Sequence, residues 1–496
     1  MSITSRLFST TRIEELRQLG ARKILRRVLT GKDLVAIGLG TMIGGGIFTT
    51  IGPGVAKAGP AVIIAYILAG AASFFAALCY AELGSMVPIA GSAYTYAYAT
   101  LGQVIAWIIG WDLILEYGIS AAPVAQQWSA YFQNAIHMLF GWSMPAWATM
   151  AKYVHAGPWW HMDFAHSQYD ILGALFVLLL SALLAIGVRE TATSNNTFVV
   201  VKVAALLVFI VAGLFLFHPQ NLHPFTPLGW VTGGAGGLGI IPAAALVFFS
   251  YIGFDTATTA AEECKNPQVD VPVGVLGSLF IGTVLYCAVA LILVGIVPWQ
   301  HVDQNAALAA ALRPLHSNLL EWIIIIGALA GTTSVALTSL FGQSRIFYVM
   351  ARDRMLPPFV AKIDPRLRTP ARMTMITGAV VALLTVIVPL DWLLELVNIG
   401  TFSAFIIVCA GVLFLRYRRP DLPRKFRSPL VPLFPILGIL LSAFLATQGL
   451  GKYTWWRFIG WLIVGLVIYF IYGFRKSDPS KINILEPEPE ALTIEV

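Results

Sequence analysis

The sequence predicts an all-α polytopic membrane protein of about twelve transmembrane helices, with the first and sixth broken at membrane depth. Three observations carry this expectation. The 496-residue chain is 58% hydrophobic and 11% charged, with a mean hydropathy of +0.78, whereas soluble domains carry roughly 25% charged residues. Its apolar stretches recur at the length of about 20 residues that a helix needs to cross hydrocarbon. Two of them, Leu34–Phe48 and Ala243–Asp255, are interrupted at matching places. A bilayer tolerates freed backbone only where it lines a protein-enclosed cavity.

Twelve spans are expected near 34–51, 61–83, 103–130, 169–187, 194–217, 237–261, 273–297, 319–350, 374–390, 393–415, 432–450 and 455–473. The eighth is long enough to project beyond the hydrocarbon as ordinary helix. The breaks fall in the first and sixth spans, the placement that two five-helix repeats of opposite topology require. The organisation is then a basic amphipathic segment at 1–32, a first repeat at 33–217, a second at 237–415, and two further helices at 432–473. A polar, acidic tail at 477–496 is expected to be disordered.

The net charge of +7 is organised by topology. Residues 1–32 carry eight Lys or Arg, 345–372 carry seven and 416–427 carry six; in all, 26 of the 32 basic residues fall on one face and five on the other. The positive-inside rule places both termini in the cytoplasm. Nucleic-acid binding fits poorly, because the basic residues are spread over separate loops. The four cysteines, Cys79, Cys264, Cys287 and Cys409, form no CxxC and read as small hydrophobes. The first thirty residues lack the apolar core of a cleavable signal.

The first break places Gly38, Gly40, Gly44, Gly45 and Gly46 within nine residues. Gly40-x-x-x-Gly44 satisfies the small-residue packing motif, and a dinucleotide loop is excluded because no strand precedes it. Three consecutive glycines exceed what packing needs, and each costs about 1 kcal/mol of helix propensity. What they offer is exposed backbone N–H at a half-helix N-terminus, which attracts an anion such as a carboxylate. At the second break, Tyr251-Ile-Gly-Phe-Asp-Thr256, the carbonyls of Phe249, Ser250 and Ile252 lose helical partners and can accept from an ammonium. N–H groups on one side and carbonyls on the other suit a zwitterion, that is, an amino acid.

Four ionisable groups lie at membrane depth. Lys202 sits in the apolar run Phe198–Phe209 of the fifth span. A charge at helix centre costs about 2.5–3.5 kcal/mol on insertion scales, so it usually has a task. Snorkelling to the interface is the alternative; a buried lysine can instead exchange a proton. Glu116 in the third span and Asp255 after the second break are candidates for a cationic side chain or for internal pairing. Asp112, four residues before Glu116, shares its helix face. His155, His161 and His166 with Trp159 and Trp160 read as an interfacial aromatic loop rather than a metal site. Asn195-Asn-Thr197 matches a glycosylation pattern on the cytoplasmic side by chance. No nucleophile elbow, phosphate loop or HExxH motif occurs, so no enzyme is expected.

Several segments closely resemble the amino acid–polyamine–organocation superfamily. They are Gly38-Leu-Gly-Thr-Met-Ile-Gly-Gly-Gly-Ile-Phe48, Ala81-Glu82, Pro88-Ile-Ala-Gly-Ser-Ala-Tyr-Thr-Tyr96, Gly110-Trp-Asp-Leu-Ile-Leu-Glu-Tyr117, Ser250-Tyr-Ile-Gly-Phe-Asp255, Ala261-Glu-Glu263 and Asn266-Pro267. Trp111–Tyr117, Gln343-Ser-Arg345 and Ala351-Arg-Asp353 narrow the likeness to bacterial members of the cationic amino acid transporter family. The resemblance implies a LeuT-like 5+5 inverted repeat with alternating access. It implies that N–H groups of Gly45 and Gly46, with Gly44 beside them, hold the substrate carboxylate. Carbonyls of Met42 or Ile43, Phe249, Ser250 and Ile252 would hold the amine, with Phe254 in a gate. Glu116 and Asp255 match carboxylates of the side-chain pocket, and Ser339, or Thr338 next to it, matches the position that sets pocket size. Lys202 matches a lysine that stands in for sodium by bridging the first and eighth spans, so the resemblance implies proton coupling. No cofactor is expected, and no sodium. The expected partners are an amino acid substrate, the lipid of a bacterial inner membrane and room for a small membrane subunit.

Overall fold

The computed structural model describes residues 27–86, 92–145, 168–187, 192–364, 366–367 and 369–476. The histidine loop (His155, His161, His166), the acidic tail and residues 1–26 of the basic segment lie outside the described residues, as do the side chains of Asn195 and Asn196.

Helices account for all twelve expected segments. The first span is α1 (Gly31–Gly45) and α2 (Ile47–Ala58), which join at Gly46. The second is α3 (Val62–Met86), followed by a short connecting helix, α4 (Ser92–Thr100). The third is α5 (Gln103–Leu113), a widened π-type turn at Ile114–Ile119, and α6 (Ala121–Phe140). The fourth and fifth are α7 (Ile171–Ile186) and α8 (Ala192–Leu214). The sixth is α9 (Ile240–Val247), a tight turn at Phe248–Tyr251, and α10 (Thr256–Thr259). Next come α11 (Pro267–Ile296), the small α12 (Ala307–Ala311) and α13 (Asn318–Arg352), the long eighth span. The last four are α14 (Ala371–Ile387), α15 (Leu390–Arg418), α16 (Leu433–Phe444) and α17 (Lys452–Ile468).

Three spans run beyond the apolar windows, because capping rather than hydropathy ends them. The first begins at Gly31, where the Asp33 carboxylate accepts from Thr30 N at 2.8 Å and the Asp270 carboxylate from Gly31 N at 2.9 Å. Asp270 also accepts from Asn266 N at 2.8 Å, which starts the seventh span at Pro267, six residues before the apolar window. The third span continues through Gln133, Asn134 and His137 until Gly141 takes the left-handed conformation (φ +64°) that closes a helix.

The spans at the centre of the bundle are buried and those at the perimeter are not. The sixth span is 83% buried over its apolar window, against 39% for the fifth and 22% for the twelfth. Leu175, Leu179, Val211, Phe280 and Trp456 point outward along the perimeter, as side chains facing lipid do. Spans five apart pack on each other: α3 against α11, α6 against α13, and α7 against α14. The twelfth span is held to the third by indole donors, Trp107 Nε1 to Gly465 O (3.0 Å) and Trp111 Nε1 to Trp461 O (2.8 Å).

At one end of the bundle, fully buried Glu82 on α3 organises the loop that follows α15. Arg416 grips it with two hydrogen bonds (2.9 and 2.8 Å), Arg424 Nε lies 3.2 Å from Oε1, and Ser428 N donates at 2.8 Å. Arg424 also donates to the Leu415, Arg419 and Leu422 carbonyls, closing the loop on the helix end. Removing one partner from a buried ion pair leaves the others uncompensated. Glu82→Ala is therefore expected to destabilise the detergent-purified protein by about 3–5 kcal/mol, read as a clear fall in melting temperature.

Candidate functional site

The two broken spans face each other, and the reason lies in their small residues. At Gly44 an added Cβ would sit 2.0 Å from the Gly331 carbonyl oxygen of α13, so the first and eighth spans touch backbone to backbone. At Gly46 a Cβ would lie 2.7 Å from Ser250 Cα, so the two breaks are in direct contact. Gly253, at φ +114°, turns the chain after an extended Ile252 and receives Thr41 Oγ1 at its carbonyl (2.8 Å). Only glycine takes that conformation without strain. Thr50 Oγ1 joins the breaks again, 2.6 Å from Ser250 Oγ and 2.9 Å from Tyr66 OH.

Between the breaks is a cavity of about 50 Å³. Gly45, Gly46 and Thr41 of the first span line one side, and Phe249, Ile252, Gly253, Asp255 and Thr256 of the sixth line another. Glu116, Tyr117 and Ser120 come from the third span, and Val335, Thr338 and Ser339 from the eighth. Of the site residues named from the sequence, the structure brings Gly45, Gly46, Glu116, Phe249, Ile252, Asp255 and Ser339 to this cavity. Met42, Ile43, Gly44, Ser250 and Phe254 are buried but do not line it. Thr338 lines the cavity beside Ser339. Phe254 is packed edge-on against Tyr80 (5.7 Å) and tilted on Phe405 (5.4 Å).

Gly46 closes one helix and opens the next. Its N–H donates to Met42 O at 3.1 Å, and its carbonyl accepts from Thr49 N and Thr50 N. The N–H that the family resemblance assigns to a carboxylate is therefore engaged within the first span in this conformation. The first turn of α2 supplies further N–H groups at the same point, as any helix N-terminus does. The carbonyl of Phe249, one of the expected amine acceptors, takes Ile252 N at 3.2 Å.

The carboxylates are held by hydroxyls. Tyr117 OH donates to Asp255 Oδ2 at 3.3 Å, Thr401 Oγ1 to Glu116 Oε2 at 3.4 Å, and Ser403 Oγ to Asp112 Oδ2 at 2.7 Å. Asp112 thus turns to α15 and away from the cavity. Lys202 is fully buried and donates to Gly40 O; its Cδ lies 3.6 Å from where a Cβ on Gly331 would be. Its ammonium sits where the first, fifth and eighth spans meet. Among the described residues, no group of three or more His, Cys, Asp or Glu side chains is placed to hold a metal.

Sequence reasoning assigned no role to Tyr117, Ser120, Thr41, Gly253, Thr256 or Val335. Ser120 carried a usable signal, since it follows Glu116 by one helical turn. Thr41 precedes Gly45 by the same spacing. Tyr117 is a neighbour of Glu116 in sequence, and it reaches the cavity because the π-type turn at Ile114–Ile119 rotates the helix there.

Broken helices meeting at a buried cavity, with two carboxylates in its wall, inside a bundle with an apolar perimeter fit a membrane transporter rather than an enzyme. Residues 29–469 match the sequence pattern of the family described as amino acid permease, and the chain belongs to that family. It is 41% identical over 456 residues to the branched-chain amino acid permease BcaP of Bacillus subtilis, covering 92% of this chain and 95% of the relative. It is 40% identical to the methylthioribose transporter of the same organism (95% and 99% covered) and 29% identical to cationic amino acid transporter 4 of Mus musculus (96% and 91%). The resemblance read from the motifs is met at the level of the superfamily.

The backbone contact at Gly44 gives a direct test. Gly44→Ala is expected to force α1 and α13 apart, lower the melting temperature and remove stabilisation by substrate, since overpacking costs about 1–3 kcal/mol or more. Gly460→Ala on the outer face of α17, where nothing lies within 4 Å, is the control and leaves both unchanged.

Proposed function

We propose that the chain is a proton-coupled permease for L-amino acids with cationic side chains, such as arginine, lysine and ornithine, working by alternating access. The observation that carries this reading is that two carboxylates, Glu116 and Asp255, line the same small cavity as the glycine break. The break offers N–H groups to the substrate carboxylate, the sixth span offers carbonyls to its amine, and Glu116 and Asp255 offer compensating charge to a cationic side chain. Ser339 and Thr338 leave room for its length. The spans packed five apart support a five-plus-five inverted repeat, and the loop charges support cytoplasmic termini in a bacterial inner membrane.

In this reading Lys202 carries the coupling proton. Charged, it holds the Gly40 carbonyl and ties α1 to the junction with α13. Neutral, it releases that carbonyl with little charge left to bury, and α1 can move. No sodium is needed to fill the junction.

A second reading, a permease for neutral amino acids, is favoured by the branched-chain specificity for which the B. subtilis relative is named. There the hydroxyls of Thr401 and Tyr117 satisfy Glu116 and Asp255 without a substrate cation.

Uptake of labelled arginine and labelled alanine into proteoliposomes, without sodium and with or without an inward proton gradient, separates the two. The cationic reading expects gradient-stimulated arginine uptake; alanine uptake alone favours the neutral one. Lys202→Ala is expected to retain binding and lose the response to the gradient. Uptake by that variant with unchanged pH dependence would remove Lys202 from the coupling.

A further inference from the structure

The seam between the third and eighth spans continues past the cavity. Ser120 Oγ donates to Ser339 Oγ across it at 3.3 Å. Beyond that rung the helices interlock reciprocally. The Tyr117 ring lies over Gly342, where a Cβ would meet it at 2.7 Å, and the Gln343 amide lies over Gly118, where a Cβ would come within 2.9 Å of Oε1. Each glycine makes room for the polar side chain opposite.

Gln343 is fully buried, and neither its Oε1 nor its Nε2 has a hydrogen-bond partner in the structure. A buried amide with both ends unused is a costly arrangement that native proteins rarely keep without something to satisfy it. Its position indicates what that is. Gln343 follows Ser339 by four residues on α13, so it shares that face and lies about 6 Å further along the helix. Between it and the cavity stand Tyr117 and Ser120, which line the cavity themselves. The widened turn at Ile114–Ile119 is on the opposite wall, a local geometry that recurs at functional sites.

We propose that Gln343 is the floor of a polar subsite that takes the hydrogen-bonding end of a long substrate side chain. The proposal rests on reading the cavity as the substrate site, and it extends that site by one helical turn. An amide both donates and accepts. It therefore pairs with a guanidinium, a ureido or a carboxamide group, and it discriminates against an alkyl chain of the same length, which would leave the amide unsatisfied. The two carboxylates read charge; Gln343 reads hydrogen bonding. Selectivity for arginine over a neutral isostere would then come from Glu116 and Asp255, and selectivity for that isostere over an aliphatic chain from Gln343.

The test is ligand-induced thermal stabilisation of the purified full-length protein, titrated with arginine, citrulline and norleucine. Gln343→Met keeps the side-chain volume and removes both hydrogen-bonding groups. The expected result is a rise of about tenfold in the half-saturating concentrations of arginine and citrulline, with norleucine changed less than twofold. Gly118→Ala, which displaces the amide from the opposite wall, is expected to give the same selective loss and serves if the first variant does not fold. A variant that shifts all three ligands equally, or none, overturns the proposal and leaves Gln343 a packing or water-binding residue. If arginine fails to stabilise the wild type while citrulline binding still depends on Gln343, the cationic reading falls and the subsite stands. If arginine binds and Gln343→Met is indifferent to it, the subsite falls and the cationic reading stands.

Discussion

The contact on which the rest of this structure depends is the approach of α1 to α13 with no side chain between them. Gly44 and Gly331 meet at backbone distance, with a Cβ on Gly331 only 3.1 Å from Gly44 Cα. Lys202 reaches this junction from the fifth span and donates to the Gly40 carbonyl. A buried charge is tolerable only with acceptors at hand, and here the acceptor is the backbone of the helix that also forms the site. The break at Gly46, the contact with Ser250 and the cavity all follow within one turn.

Glu116 and Asp112 show how helix geometry divides like residues between roles. Both are buried on one face of the third span and both accept from a hydroxyl of α15, at Thr401 and Ser403 respectively. Yet only Glu116 lies in the widened turn, and only Glu116 reaches the cavity. Tyr117, within that turn, and Ser120, just beyond it, line the cavity as well. Three cavity residues thus come from this turn and its immediate edge.

Much of the fold was legible because its signals are periodic and strong. Twenty-residue apolar windows, loop charges and a run of three glycines each have one dominant physical cause. The span ends were less legible, because Asp270 and Gly141 end helices by capping while hydropathy carries on or stops early. Among site residues, the glycines, Glu116 and Asp255 were readable from cost, each being expensive at membrane depth without a purpose, whereas Ser339 was reached only through the family resemblance. Thr41, Ser120 and Thr256 were not, since small hydroxyl residues satisfy themselves on the preceding turn of any membrane helix and carry no such penalty. Gln343 was visible only as part of a motif, because an orphaned amide is a property of packing. The interruption of the third span left no composition signal: Ile114–Ile119 contains one glycine and no proline.

The grip of Arg416 and Arg424 on Glu82 also has a consequence for how the chain is made. Glu82 is separated from Arg416 by 334 residues of sequence. At synthesis rates of about 5–20 residues per second, its partners leave the ribosome tens of seconds after it does. Throughout that interval this end of the second helix carries an acid whose final ion-pair partners do not yet exist. The growing chain must keep that end in water or in the care of the insertion machinery. A loop translated late, between α15 and α16, is thus the one that lets the second helix settle.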